Sequence, residues 1–326
     1  MARISIHASV AMAACGILLM AMVGGRAGIA ADNSVRSRVL YAPHTGKPSG
    51  RHGLPSSRAW RHVPCTRVLT GAINGAATKF VTVARYHTRV WVLWRAHTLY
   101  IRFVCRGAAH GISFHANNQP LYQQDVVEVF LDVAGSMKHY AEIEVSPHGF
   151  HAVYRHCWTT APTFPAAAIN WRQVDKYHRE SLWHIPGLQT VSTTLETDGK
   201  KTGWVATLAI PIRPIFKLSG SPATLHQRQC LRANFLRYVY LPAKHGKRTL
   251  HQLNWVPTML GQPHVSPMAM GTIILVGYST RMPHAHCVTS ELRRHVLKVK
   301  NQRAHHQSRR SAESIYTYMP LKGIGI

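Results

Sequence analysis

The chain has 326 residues, with 39 Lys plus Arg against 12 Asp plus Glu, a formal net charge of +27. Hydrophobic residues make up 46% of it, which supports a core and excludes a disordered polycation. Charged residues are only 16% and mostly basic, which argues against an ordinary charge-rich cytosolic enzyme and predicts adhesion to polyanions.

Arg3, an apolar run over 8–23 and the small residues Gly28-Ile29-Ala30 read as an export signal over 1–30, cleaved after Ala30 or Ala31. The protein is therefore expected to be secreted or periplasmic. No later stretch approaches the roughly 20 apolar residues of a spanning helix, so no integral membrane segment is expected after cleavage. Cys15 leaves with the signal. Cys65, Cys105, Cys157, Cys230 and Cys287 remain, an odd number without any Cys-x-x-Cys spacing for zinc or redox chemistry. Residues 31–58, rich in Pro, Gly, Ser, Arg and His, read as an unstructured basic linker or an arm laid over the domain.

From 59 to 276 the pattern is β. Segments 90–94 and 98–105 are rich in branched and aromatic residues, and Leu99, Ile101 and Phe103 alternate with Tyr100 and Arg102. Over 125–133, Val127, Val129 and Leu131 alternate with Val126, Glu128, Phe130 and Asp132. A short Gly-containing link leads to 139–146, where Ala141, Ile143 and Val145 oppose Glu142 and Glu144. This pair predicts a hairpin with an inner apolar face and an outer acidic one. Segments 188–196 and 204–210 around Asp198-Gly199 predict a second hairpin, and 231–240 and 272–276 supply late strands. No helical stripe stands out before residue 288. Many short strands with Gly and Pro punctuation predict an all-β antiparallel sandwich, jelly-roll-like. Residues 277–326 form a basic tail, in which Arg281, Arg293, Arg294, Lys298 and Arg303 face the single acid Glu291 across 281–310.

Five of the 12 acids (Asp125, Glu128, Asp132, Glu142 and Glu144) fall in the first hairpin, an acid-rich face in a basic chain. Glu142 and Glu144 share one strand face rather than flanking a cleft as a glycosidase pair does, and no Gly-x-Ser-x-Gly occurs. The chain reads as non-enzymatic. The pairs His284/His286 beside Cys287 and His305-His306 are read as incidental among 23 His, and no metal site is assigned to them.

Asp125-Val126-Val127-Glu128-Val129-Phe130-Leu131-Asp132, followed by Tyr140-Ala141-Glu142-Ile143-Glu144-Val145-Ser146-Pro147-His148-Gly149, resembles the core signature of the family 9 carbohydrate-binding modules. Their stand-alone exported relatives, related to DOMON-type sandwiches, are the nearer likeness. Four further pieces follow the family's order: 98–105, 203–211, 232–237, and 254–258 with His264, Pro267 and Gly271. The resemblance spans about residues 60–276. It implies a β-sandwich that binds saccharides without catalysis, through Tyr122, Glu128, Glu142, Glu144, Asn234, Arg237, Trp255 and His264. Tyr122 stands where sugar-binding members carry a Trp, and Trp255 or His264 is the nearest substitute for their second stacking ring. The loop 106–110 lacks the carboxylates that hold structural calcium in the family, so neither calcium nor another cofactor is expected.

Two other functions compete. Related sandwiches hold haem b, and Met259, His264, Met268 and Met270 cluster in sequence. Alternatively, the basic arm and tail carry the function by binding polyanions, with steep salt dependence. The scarcity of acids further suggests an acidic external habitat, in which the fold would keep most of its stability at about pH 3.

Overall fold

Branched and aromatic residues in alternation give this chain its strands, because such side chains pack well on a half-buried pleated surface. The computed structural model describes residues 38–70, 72–73, 76–77, 84–110, 112–160, 177–180, 183–220, 224–258, 264 and 266–277. The expected export signal and, from 278 onward, the basic tail lie outside the described residues.

In chain order the strands are β1 (Val39–Pro43), β2 (Ala72–Ile73), β3 (Ala76–Ala77), β4 (Thr88–Arg95), β5 (Thr98–Arg106), β6 (Val126–Asp132) and β7 (His139–Val145). They continue with β8 (His151–Trp158), β9 (Tyr177–Glu180), β10 (Gln189–Thr197), β11 (Lys200–Pro211), β12 (Cys230–Pro242), β13 (Arg248–Asn254) and β14 (Gly271–Val276). A large sheet runs β1-β14-β12-β6-β7-β8-β9, with β13 paired to the C-terminal half of β12. A smaller sheet runs β10-β11-β5-β4. The expected sandwich is what forms, and both expected hairpins pair in antiparallel register. Asp198 and Gly199 turn the second one, with φ of 51° and 70°, the left-handed backbone that Gly adopts freely.

Between the sheets, Val127, Val129 and Leu131 of β6 and Ala141, Ile143 and Val145 of β7 meet Ile101 and Phe103 of β5 and Ala206 and Leu208 of β11. All of these are fully buried. Gly271 opens β14 where a Cβ would lie 2.6 Å from the Trp255 ring, so the ring packs directly on backbone.

Over 38–58, the described part of 31–58, the structure corrects the expectation of an unstructured linker and agrees with that of an arm laid over the domain. Residues 39–43 are β1, paired parallel to β14, and Leu40 and Ala42 fill the core. His44 N–H donates to the Val276 carbonyl at 2.8 Å, and Trp94 Nε1 donates to the same oxygen at 2.9 Å. Farther along, Leu54 and Trp60 cover Leu93, Tyr100 and Ala209 on the outside of the small sheet. Five residues of alternation amid Pro and Gly were too little to announce a strand. A short helix, α1 (Arg213–Ser219), also went unforeseen; it has Pro in its first turn and ends on Gly220 at φ 68°. Seven residues are too few for a visible stripe.

Candidate functional site

The second face of the large sheet is also buried. All seven residues of β6 are buried, so the acidic face predicted on the outside is not a solvated one. Val126, Phe130, Tyr140, Tyr154, Trp158, Leu236 and Tyr238 form an apolar cluster there, with Phe114, Tyr122, Phe150 and Tyr240 packed at its border.

Into this cluster the pleat of β6 and β7 directs three carboxyl groups. Glu128 pairs across the strands with Glu144, and Phe130 with Glu142. Oxygens of Glu128, Glu142 and Glu144 all lie within 4.8 Å of one another. The three residues are 0%, 3% and 0% exposed. Like charges directly opposed on adjacent strands repel, so the arrangement carries an intrinsic cost.

Only part of that cost is offset by neighbours. His156, on β8, donates from Nε2 to Glu142 Oε2 at 2.7 Å, and Arg179 Nη2 on β9 lies 3.5 Å from the same oxygen. The Arg179 guanidinium stands 3.8 Å from the Tyr154 ring centre and 5.7 Å from that of Tyr122. The Tyr122 N–H donates to Glu144 Oε2 at 3.0 Å, and the Tyr240 hydroxyl donates to the Tyr122 carbonyl at 2.8 Å. Glu144 Oε1 and both oxygens of Glu128 have no hydrogen-bond partner.

These surroundings separate the three acids. Burial, then the negative charge of Glu142, pushes Glu128 well above the usual carboxylate range. Burial and the charges of Glu142 and Glu128 do the same to Glu144. Burial also works against Glu142, but the His156 hydrogen bond and nearby positive charge outweigh it and hold this carboxyl down at about 2. Burial pushes His156 down and takes His264 down to about 4, with Glu142 opposing in both cases. Of the three acids, Glu142 gives up its proton most readily, while Glu128 and Glu144 hold theirs to higher pH. A protonated acid both donates and accepts, which suits hydroxyl groups.

Of the residues expected at the site, the structure brings Tyr122, Glu128, Glu142 and Glu144 together. His264 is adjacent: its ring centre is 6.3 Å from that of His156, and its carbonyl accepts from the Tyr140 hydroxyl at 2.6 Å. Asn234 shares the face but spends its amide on backbone. Its Nδ2 donates to Val256 and Ala269 carbonyls, both at 2.9 Å, and its Oδ1 accepts from the Phe235 and Val256 N–H groups. Arg237 is not brought to this face. Odd parity on β12 turns it between the sheets, where Nη1 donates to the Tyr86 and Arg106 carbonyls and Thr88 Oγ1, and Nη2 to the Gly107 carbonyl. Trp255 likewise points inward and stacks on Phe235 with ring centres 5.2 Å apart.

Three residues of the site escaped the sequence reading. Tyr154 and His156 belong to the alternation Ala152, Tyr154, His156, Trp158 on β8, a signal that was there to be found. Arg179 comes from a four-residue strand and gave none. Among the residues considered for haem, Met259 lies outside the described residues and Met270 packs in the outer-face cluster. His284, His286, Cys287, His305 and His306 also lie outside the described residues.

No protein-family model and no curated protein matches the sequence. Among solved structures, the chain is similar to a "putative carbohydrate-binding protein" from Bacteroides uniformis, at 14% identity and a TM-score of 0.51, covering 74% of this chain and 100% of that one. It is also similar to a family 9 carbohydrate-binding module from Caldicellulosiruptor kristjanssonii in complex with glucose, at 16% identity and a TM-score of 0.42, covering 76% of this chain and 100% of that one. The likeness to the Bacteroides protein is one of fold: this chain is a β-sandwich of the same architecture.

Proposed function

We propose that this protein is an exported, non-catalytic carbohydrate-binding protein whose ligand is a neutral saccharide bound on the outer face of the large sheet. The observation that carries this reading is the trio of buried carboxyl groups with unused lone pairs, bordered by Tyr122, Tyr154 and Arg179. Hydroxyls satisfy such groups by donating to one oxygen and accepting from another. Tyr122 is the stacking ring, because an aromatic face packs against the C–H face of a pyranose. Glu142 and Glu144 meet the hydroxyls, Glu128 forms the floor, and His264 closes the side. Asn234, Arg237 and Trp255 act by holding the backbone in register. An acidic glycan would place its charge beside Glu142 and is disfavoured.

The three carboxyls share one wall, which supports binding rather than hydrolysis, since hydrolysis needs acids on both sides of a scissile bond. The description of the Bacteroides protein that shares the fold agrees with this reading. Export rests on residues 1–30, and the basic tail adds salt-dependent adhesion to polyanions. A glycan array at neutral and acidic pH, followed by calorimetry on the hits, tests the proposal. The expected result is saturable binding of a neutral saccharide that Tyr122→Ala weakens. No binding of any mono- or polysaccharide at millimolar concentration would overturn it.

A further inference from the structure

Glu128 forms the floor of this face and is not itself among the groups that meet saccharide hydroxyls. It is fully buried, and neither of its oxygens has a hydrogen-bond partner. Three side chains whose oxygens lie within 4.8 Å of one another can share a single ion. Two oxygens on opposite sides of a calcium-sized ion, each about 2.4 Å from it, are about 4.8 Å apart, which is the outer limit seen here.

We infer that Glu128, Glu142 and Glu144 bind one hard divalent cation on the outer face of the large sheet. The lone pairs left over after the protein's own hydrogen bonds are those such an ion requires. Glu142 gives Oε2 to His156 and Arg179, and Glu144 gives Oε2 to the Tyr122 N–H. Glu144 Oε1 and the whole carboxyl of Glu128 remain. Charge agrees with geometry. The ion displaces the protons that Glu128 and Glu144 hold, and three carboxylates then face, among the described residues, the guanidinium of Arg179, so that a divalent ion brings the sum to zero. All-oxygen donors favour Ca²⁺, Mg²⁺ or Mn²⁺ over softer metals. The site is distinct from the 106–110 loop, which has no carboxylate, and it stands whether or not the face also takes a saccharide.

The test is a calorimetric titration of the intact, chelator-treated protein with CaCl₂ and, separately, MnCl₂, in buffer free of saccharide. One equivalent of at least one ion should saturate the protein. Glu128→Gln, which preserves shape, should weaken binding at least tenfold, and Glu196→Gln, at an exposed acid on β10, should not change it. Glu144→Gln should behave as Glu128→Gln does, and it decides the matter if the first variant fails to fold. Absence of saturable binding of both ions up to about 1 mM would overturn the inference. So would unchanged affinity in the folded Glu128→Gln or Glu144→Gln protein. Saccharide binding that persists in chelator would leave the proposed function standing on its own, and metal binding without any saccharide ligand would do the reverse.

Discussion

Charged side chains are buried on opposite faces of the same large sheet, and they are treated in opposite ways. On the inner face, Arg237 is enclosed between the rings of Tyr86 and Trp204, and its Nη groups donate to three carbonyls and a hydroxyl. Those oxygens belong to β4, β5 and the residues beside them, so Arg237 ties the small sheet to β12. On the outer face, three carboxyls oppose one another, and Glu128, beside Tyr238, has no partner in good hydrogen-bond geometry. A buried charge closed by backbone serves the scaffold. A buried polar group left open is retained at a cost to stability, which points to a ligand.

Substitutions can break this comparison, and the inner face should give the largest effect. Arg237→Met should cost about 3–5 kcal/mol in urea unfolding, because it takes the donor from the buried Tyr86 carbonyl and from the partly buried carbonyls of Arg106 and Gly107. A variant as stable as the wild type would remove the scaffold half of the contrast. Glu142→Gln comes next: it takes the charged acceptor from His156 and Arg179 and should cost about 1.5–3 kcal/mol by the same measurement. Tyr122→Ala should weaken saccharide binding about tenfold in calorimetry, with a much smaller change in unfolding midpoint, since its ring is at the border of the cluster.

Glu128→Gln sharpens the contrast through its sign. The folded-state pKa of Glu128 is raised above the ordinary value of 4.5, so the folded protein holds this proton when the unfolded chain has released it. Stability then falls as pH rises through the unfolded value, and the neutral variant escapes that loss. Chelator-treated Glu128→Gln should be more stable than wild type at pH 7, and the gain should fade as pH drops below about 4.5. Unfolding curves across pH check this, and a gain that grew on acidification would contradict it. The smallest effect concerns the tail. Deleting 281–326 should leave the unfolding midpoint in place and flatten the salt dependence of heparin retention.

Much of the inner face was legible in the sequence. Val127, Val129 and Leu131 against Glu128 and Asp132, and Ala141, Ile143 and Val145 against Glu142 and Glu144, are period-two patterns that specify which side of a strand enters the core. The hairpins follow from that patterning and from short Gly-containing links. What covers the other side was not legible, because alternation says that two faces differ and not that either one reaches water. β1 was hidden for a related reason: its partner, β14, is more than 200 residues away, and a parallel edge pair leaves no local turn to announce it.

By itself, then, the amino-acid order determined the sandwich, the alternation of its main strands and the concentration of acids in one hairpin. Those properties depend on neighbours one or two residues apart. Only the tertiary structure decided that Glu128, Glu142 and Glu144 share one buried site, that His156 and Arg179 attend it, and that Arg237 and Trp255 serve the interior instead. Each of those outcomes depends on strand register and on which segments close over a face. Burial, in turn, decides whether a carboxyl keeps its proton, and that is a property of the space around a residue rather than of its place in the chain.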